Sequence, residues 1–171
     1  MIIEDGTGLI DSNSYVSIDF ATDYFTSHGV SSFSALTDEE KEIVLIKATD
    51  FIDNVFDWYG VKKTYEQALN FPRENLYTKD GYKVEGVPKQ LKDAVCEAVS
   101  VLISDKDLYQ VANENGAVVS ENIGGKLSFT YDVSKKIQDS TLYESINLRL
   151  RGLYKDNSKK RIYSAEIRRK L

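Results

Sequence analysis

Basic side chains are concentrated at the C-terminal end of the chain and acidic side chains in the part before it. The C-terminal end is therefore not expected to pack in the same hydrophobic core as the other residues. Residues 135–171 carry eleven Lys or Arg and four Asp or Glu, whereas residues 1–134 carry 11 basic and 23 acidic side chains. The last stretch, 155–171, has only four sizeable apolar residues, Ile162, Tyr163, Ile167 and Leu171. So few apolar side chains cannot form a core. We predict an acidic folded body over 1–154 and a basic C-terminal arm over 155–171.

Helical patterns dominate the body. Thr37 and Glu40 have the spacing of a capping box, which predicts a helix from about Asp38 to Asp57. The apolar stripe expected to face the core consists of Val44, Ala48, Phe51, Ile52 and Val55. Capping residues and apolar periodicity predict three further helices, over 17–28, 88–104 and about 141–153.

Strand patterns are fewer. Residues 118–131 contain two β-prone runs separated by Gly124-Gly125, which predicts a β-hairpin. Asp80-Gly81 predicts a smaller turn, and Thr64 is expected to begin one short helical turn that Pro72 ends. The predicted fold is therefore mainly α, an antiparallel bundle of about four helices with a small β-hairpin and an extended C-terminal tail.

The residues that usually carry chemistry are sparse. His28 precedes a glycine at a helix end, where a structural role is favoured over metal binding or catalysis. Asp50, Asp53 and Asp57 share one helix surface and are interpreted as a solvated polar face rather than a cation site. Cys96 is interpreted as a small buried apolar residue. We predict no enzyme activity, no cofactor, no metal site and no membrane contact.

Two places in the body are candidates for a subunit interface. Ile46 interrupts the predicted polar face of its helix, so either a neighbouring subunit covers it or it is a lone exposed aliphatic residue. In Phe71-Pro72-Arg73, Phe71 either ends a short helix in the core or anchors a loop that presents Arg73 to a partner. Ile46, Phe71 and Arg73 are the predicted interface residues.

Four segments together resemble one family. They are EDGTGLIDSNSYVSIDFATDYF, ALTDEEKEIVLIKATDFID, EQALNFPR and GVPKQLKDAVCEAV, within about residues 3–100. Their order and spacing are similar to those of the head–tail adaptor proteins of tailed bacteriophages, in a group often labelled DnaT-like single-stranded DNA-binding proteins. That family usually has a tryptophan before the Pro-Arg pair, where this chain has Phe71.

The resemblance implies a structural protein of the virion. Its subunits would form a dodecameric ring under the portal, assembled in the bacterial cytoplasm, and would join the head to a tail or stopper protein. Genome DNA would pass through this ring without specific binding. The residues expected to bind the portal lie in the arm and are Lys159, Lys160, Arg161, Ile162, Tyr163, Ile167, Arg168, Arg169 and Leu171.

Two alternatives remain open. A single-stranded DNA-binding module would use the eleven tyrosines as stacking platforms, although most of them lie in the acidic body and only Tyr154 and Tyr163 are near basic clusters. An acidic regulator that binds a host protein is compatible with the composition, but no motif favours it.

Overall fold

The computed structural model describes residues 1–104, 108 and 144–155, together with the backbone of 121–123 and 127–129. Its helices are α1 (Ile18–Ser27), α2 (Asp38–Val55), α3 (Lys89–Ile103) and α4 (144–150). Its strands are β1 (Val61–Lys62), β2 (Arg73–Glu74), β3 (Glu121–Ile123) and β4 (Leu127–Phe129). The predicted mainly helical fold is confirmed.

The core lies between α2 and α3, with α1 packed against both. Leu45 and Ile52 of α2 and Leu91 and Val95 of α3 are fully buried. Burying each such side chain contributes about 1.5–3 kcal/mol, so this contact is the main source of stability in the body.

The predicted starts of α1 and α2 are confirmed by their caps. The Thr37 hydroxyl accepts a hydrogen bond from the Glu40 amide at 3.3 Å, and the Thr37 amide donates to the Glu40 carboxylate at 2.8 Å. Ser17 caps α1 by accepting from the Phe20 amide at 3.1 Å. These bonds satisfy amides that a helix leaves unpaired at its first turn.

The buried face of α2 differs from the predicted one. Asp53, expected to face solvent, is buried together with Thr49, whereas Val55, expected in the core, is half-exposed. The reason is that Tyr15 of the N-terminal segment packs on this side, where its amide donates to the Thr49 hydroxyl at 3.5 Å. Polar residues can be buried here because other segments provide their hydrogen-bond partners.

Helix α4 joins the body through apolar contacts and two ion pairs of Arg149. Ile146 and Leu150 are buried, and Leu153 just beyond the helix is buried as well. The Arg149 guanidinium donates to the Glu97 carboxylate of α3 at 2.6 and 3.0 Å and lies 3.7 Å from the Asp93 carboxylate. The predicted helix start at Thr141 lies outside the described residues.

Two antiparallel pairs of strands complete the fold. Strands β3 and β4 pair with Ile123 opposite Leu127, which confirms the predicted hairpin, although its Gly124-Gly125 turn is not described. Strands β1 and β2 form a second pair that the sequence did not predict.

The loop between β1 and β2 does not contain the helical turn predicted after Thr64, so that prediction is wrong. The Gln67 side chain accepts from the Thr64 amide at 2.9 Å and donates to the carbonyls of Leu69 and Pro72 at 2.8 and 3.1 Å. These bonds satisfy backbone groups that a helical turn would have paired with one another. The turn predicted at Asp80-Gly81 is confirmed, with Gly81 at a φ of 84°.

Candidate interaction surfaces

A buried carboxylate fixes the loop that carries the Phe-Pro-Arg segment. Asp53 accepts hydrogen bonds from the Asn70 amide at 2.9 Å, from the Asn70 side chain at 3.0 Å and from the Tyr15 hydroxyl. The Tyr15 hydroxyl in turn accepts from the Phe71 amide at 3.0 Å. Burial raises the pKa of Asp53 although these hydrogen bonds oppose the shift, and burial also raises the pKa of Tyr15. Asp53 is therefore a structural group and not part of a solvated acidic face.

Phe71 lies in the core of the chain. Its side chain is fully buried, and its ring makes edge-on contacts with Trp58 at 5.1 Å and with Tyr15 at 6.2 Å between centroids. Such contacts stabilise the packing of aromatic side chains. Because the ring has no exposed surface, the prediction that Phe71 contacts a neighbouring subunit is corrected to a packing role within one subunit.

Arg73 links two loops through their carbonyl groups. Its guanidinium donates to the carbonyls of Tyr59 at 2.6 Å, Gly60 at 2.9 Å and Asn70 at 3.1 Å. At Gly60, which has a φ of 72°, an added Cβ would lie 2.4 Å from the Glu74 carbonyl, so this close approach requires glycine. Arg73 thus holds the loops in place, and its contact with a partner stays a prediction.

Residues 58–83 expose four tyrosines, which we call the tyrosine surface: Tyr59, Tyr65, Tyr77 and Tyr82. Tyr65 is 98% exposed and Tyr82 is 73% exposed. The segment that carries them, 58–83, has five basic and three acidic side chains. Exposed aromatic rings in a slightly basic setting are suited to binding either a protein or a nucleic acid.

Several of the basic groups near the tyrosine surface make contacts within the chain. The Lys62 ammonium donates to the Gln67 carbonyl at 3.3 Å, and the Lys63 ammonium donates to the Gly6 carbonyl at 3.1 Å. Lys83 lies 3.6 Å from Glu85 in an ion pair. A cleft of about 370 Å³ beside these residues has both basic and acidic side chains in its lining. The charge available to an anionic ligand is therefore modest.

A second exposed apolar area, the aliphatic surface, comprises Ile2, Ile3, Ile43 and Ile46. The Met1 ammonium lies 3.1 Å from the Glu42 carboxylate, which places the N-terminal segment against α2. Ile43 is 51% exposed, and the half-buried Ile46 lies three residues further along the same side of the helix. Sequence reasoning identified Ile46, but it missed Ile43 and the N-terminal isoleucines, because only the fold brings those segments together.

The surroundings of the aliphatic surface are strongly acidic. Residues 1–57, which include α1 and α2, carry twelve acidic and two basic side chains. Residues 58–104 carry six acidic and seven basic side chains. The body is thus divided into an acidic half and a nearly neutral half, a difference that the total charge of the chain conceals.

The predicted portal-binding residues lie outside the described part of the chain, which ends at Lys155. Its amide donates to the Asp57 carbonyl at 2.7 Å, and its ammonium lies 3.0 Å from the Asp57 carboxylate. The preceding Tyr154 pairs with Trp58 in an antiparallel bridge. The predicted arm therefore begins beside Asp57, which follows the C-terminal end of α2 and lies two residues before Tyr59 of the tyrosine surface.

Cys96 and His28, the residue types that often act in catalysis, are packed against other residues of the chain. Cys96 is buried, as predicted, and burial raises its pKa to about 12, which disfavours the reactive thiolate. The His28 ring stacks on Tyr24 at 4.1 Å, and its Nδ1 lies 2.7 Å from the Tyr24 carbonyl. Within 1–104 and the other described stretches, no group of three or more His, Cys, Asp or Glu side chains could hold a metal ion. The prediction that the protein is not an enzyme stays a prediction.

No helix in the described part of the chain is both long and apolar enough to span a bilayer.

Comparison with known proteins identifies one family. No curated protein and no solved structure shows significant similarity to the chain. A family model described as "Putative DnaT-like ssDNA binding protein" matches residues 1–170, which is nearly the whole chain. The match therefore extends through the acidic body into the basic arm, and the chain belongs to this DnaT-like family.

Proposed function

We propose that the protein is a structural adaptor of a tailed-bacteriophage virion, which forms a ring between the portal and the tail. The observation that carries this proposal is the ordered resemblance of four separate segments, within about residues 3–100, to head–tail adaptors. The two exposed apolar surfaces of the body support it, because a ring subunit needs contacts on more than one side.

The charge distribution suits a ring around DNA. The acidic half of the body, residues 1–57, has ten more acidic than basic side chains. Like charge weakens attraction to phosphates, so DNA would slide past such a surface. The basic arm has a different role in this proposal: its 17 residues, 155–171, span up to roughly 55 Å when extended, which is enough to reach a neighbouring portal subunit.

Binding to single-stranded DNA is the second candidate, and the description of the family favours it. The tyrosine surface offers stacking platforms, and the basic arm starts beside it. Segment 58–83 has only two more basic than acidic side chains, however, and several of its lysines are engaged within the chain. Each phosphate contact adds a salt slope of only about −0.7 on single strands, so we expect weak binding that salt removes.

One pair of measurements on the same preparation separates the two candidates. The full chain is tested for co-sedimentation with the purified portal ring and for binding to a fluorescent oligothymidine, both at about 150 mM salt. We expect portal binding without DNA binding. Submicromolar DNA affinity without portal binding would replace the adaptor proposal with the second candidate.

A truncation tests the role of the arm. Removing residues 156–171 keeps Lys155 and its contacts with Asp57, so the thermal stability of the body should hardly change. We expect this truncation to abolish portal binding and the double variant Lys159→Ser/Lys160→Ser to weaken it. The matched control, Lys47→Ser/Lys89→Ser, removes two exposed lysines that lie outside residues 58–83 and should bind normally. Normal binding by the truncated chain would locate the docking site in the body instead.

A further inference from the structure

We infer that the tyrosine surface of one copy binds the aliphatic surface of a second copy. The inference rests on the proposed function, and it identifies the two surfaces that meet between ring subunits. The surfaces are separate places on one chain: the aliphatic surface lies on the N-terminal half of α2, and the tyrosine surface lies on loops that follow its C-terminal end. When two copies meet through different surfaces, the pair still has one free tyrosine surface and one free aliphatic surface. Further copies can therefore add in the same way until a ring closes.

Charge complementarity selects a second copy of this chain as the occupant. The aliphatic surface belongs to residues 1–57, which have twelve acidic and two basic side chains. The tyrosine surface belongs to residues 58–83, which have five basic and three acidic side chains. Opposite charge steers the encounter of two surfaces and fixes their register. Each copy therefore carries both members of a complementary pair.

The same charges disfavour a symmetric dimer. Pairing two aliphatic surfaces would bring two strongly acidic segments together, and pairing two tyrosine surfaces would bring two slightly basic segments together. Like-charge juxtaposition across an interface is costly, so it suppresses wrong pairings. The head-to-tail arrangement avoids both and is favoured.

Both surfaces also have the composition of a protein interface. Tyrosine is enriched in the buried centres of such interfaces, and Tyr65 and Tyr82 are among the most exposed apolar side chains of the described residues. On the other surface, Ile43 and Ile46 offer aliphatic area beside Ile2 and Ile3. Asp53 and Arg73 bond Asn70 in the loop that carries Tyr65, and the Thr78 amide donates to the Tyr82 carbonyl at 2.8 Å, so little order has to be gained on binding.

The test is a complementation experiment on the full chain with two variants that each damage one surface. The first, Ile43→Asp/Ile46→Asp, places carboxylates on the aliphatic surface. The second, Tyr65→Asp/Tyr82→Asp, places them on the tyrosine surface. Sedimentation velocity at about 100 µM detects contacts weaker than micromolar. We expect the wild type to form oligomers, each variant alone to be monomeric, and a 1:1 mixture to form a heterodimer through the two intact surfaces.

Each remaining outcome contradicts the inference. If the aliphatic surface paired with itself, the tyrosine variant alone would dimerise and mixing would add nothing. A monomeric wild type, or a mixture that stays monomeric, would also overturn it. Two matched controls, Ile10→Asp and Leu148→Asp, change exposed aliphatic residues outside both surfaces and should assemble normally. Circular dichroism checks that every variant is folded.

The readout is independent of portal binding. If the wild type co-sediments with the portal but neither self-associates nor shows complementation, the subunit contact is wrong and the adaptor role stands. If self-association and complementation occur without portal binding, the contact stands and the adaptor role is wrong.

Discussion

Asp53 organises three segments that are far apart in the sequence. It lies on α2, and its carboxylate accepts from Tyr15 of the N-terminal segment and from Asn70 of the loop before β2. Removing a charged acceptor from such a buried set leaves its donors unpaired, which costs about 1–3 kcal/mol or more. This one side chain therefore fixes both the N-terminal segment and the loop that carries Tyr65.

The raised pKa of Asp53 has a consequence for stability. Because burial raises its pKa in the folded state above 3.8, the folded protein binds a proton more tightly than the unfolded chain. The contribution is complete below pH 3.8 and is lost as the pH rises through the folded-state pKa. We expect Asp53→Asn to remove this fall in stability. Urea unfolding of wild type and variant from pH 4 upward measures it, with Glu39→Gln on the exposed first turn of α2 as the control.

Local sequence patterns could not reveal that Asp53 is buried and links distant segments. The sequence predicted Asp53 on a solvated face, because its neighbours Asp50 and Asp57 share a helical surface with it. Its partners lie 38 and 17 residues away, so no local periodicity contains them. By contrast, the burial of Cys96 was predictable, because the apolar periodicity of α3 is itself local.

At the scale of elements, the predictable features are those that neighbouring residues determine. The starts of α1 and α2 were predicted from Ser17 and Thr37, whose caps bond residues only three positions away. The loop from Thr64 to Pro72 was not predicted, because the Gln67 side chain replaces regular backbone bonds there. Tyr65 lies in that loop, so its exposure was not predicted from local sequence.

Helix α4 offers a test of how an element is attached. Arg149 makes two charge-assisted hydrogen bonds to Glu97, which also accepts from the Tyr24 hydroxyl at 2.7 Å. We expect Arg149→Ala to destabilise the body by about 1–3 kcal/mol, because Glu97 loses its charged partner. Amide exchange should accelerate most in residues 144–150. The neighbouring Arg151, whose side chain is exposed, provides the control Arg151→Ala, and equal effects of both variants would contradict this role for the ion pair.

The whole molecule combines an acidic half, a nearly neutral half and a basic arm. The basic C-terminal end and the acidic residues 1–57 are both visible in the sequence, whereas the packing of the acidic α2 on the nearly neutral α3 is visible only in the structure. The subunit contact inferred here pairs charges across molecules. Higher ionic strength should therefore weaken this contact, whereas it would not weaken a purely apolar contact.

We expect self-association to weaken as salt rises, because the Debye length, over which charges attract, shortens from about 10 Å at 0.1 M to about 3 Å at 1 M. Sedimentation velocity of the wild type over this range measures the effect. An association that strengthens steadily with salt would indicate that the apolar side chains alone hold the subunits together.

The anchoring of Lys155 has a mechanical consequence. Tension on the arm would enter the body through the Lys155 amide, which bonds the Asp57 carbonyl, and through the Leu153 carbonyl, which accepts from the Tyr59 amide at 3.0 Å. These two backbone bonds lie on either side of the bridge between Trp58 and Tyr154. A pull on the arm would thus load the C-terminal end of α2 directly. Force would reach the core helices without first passing through residues 105–143.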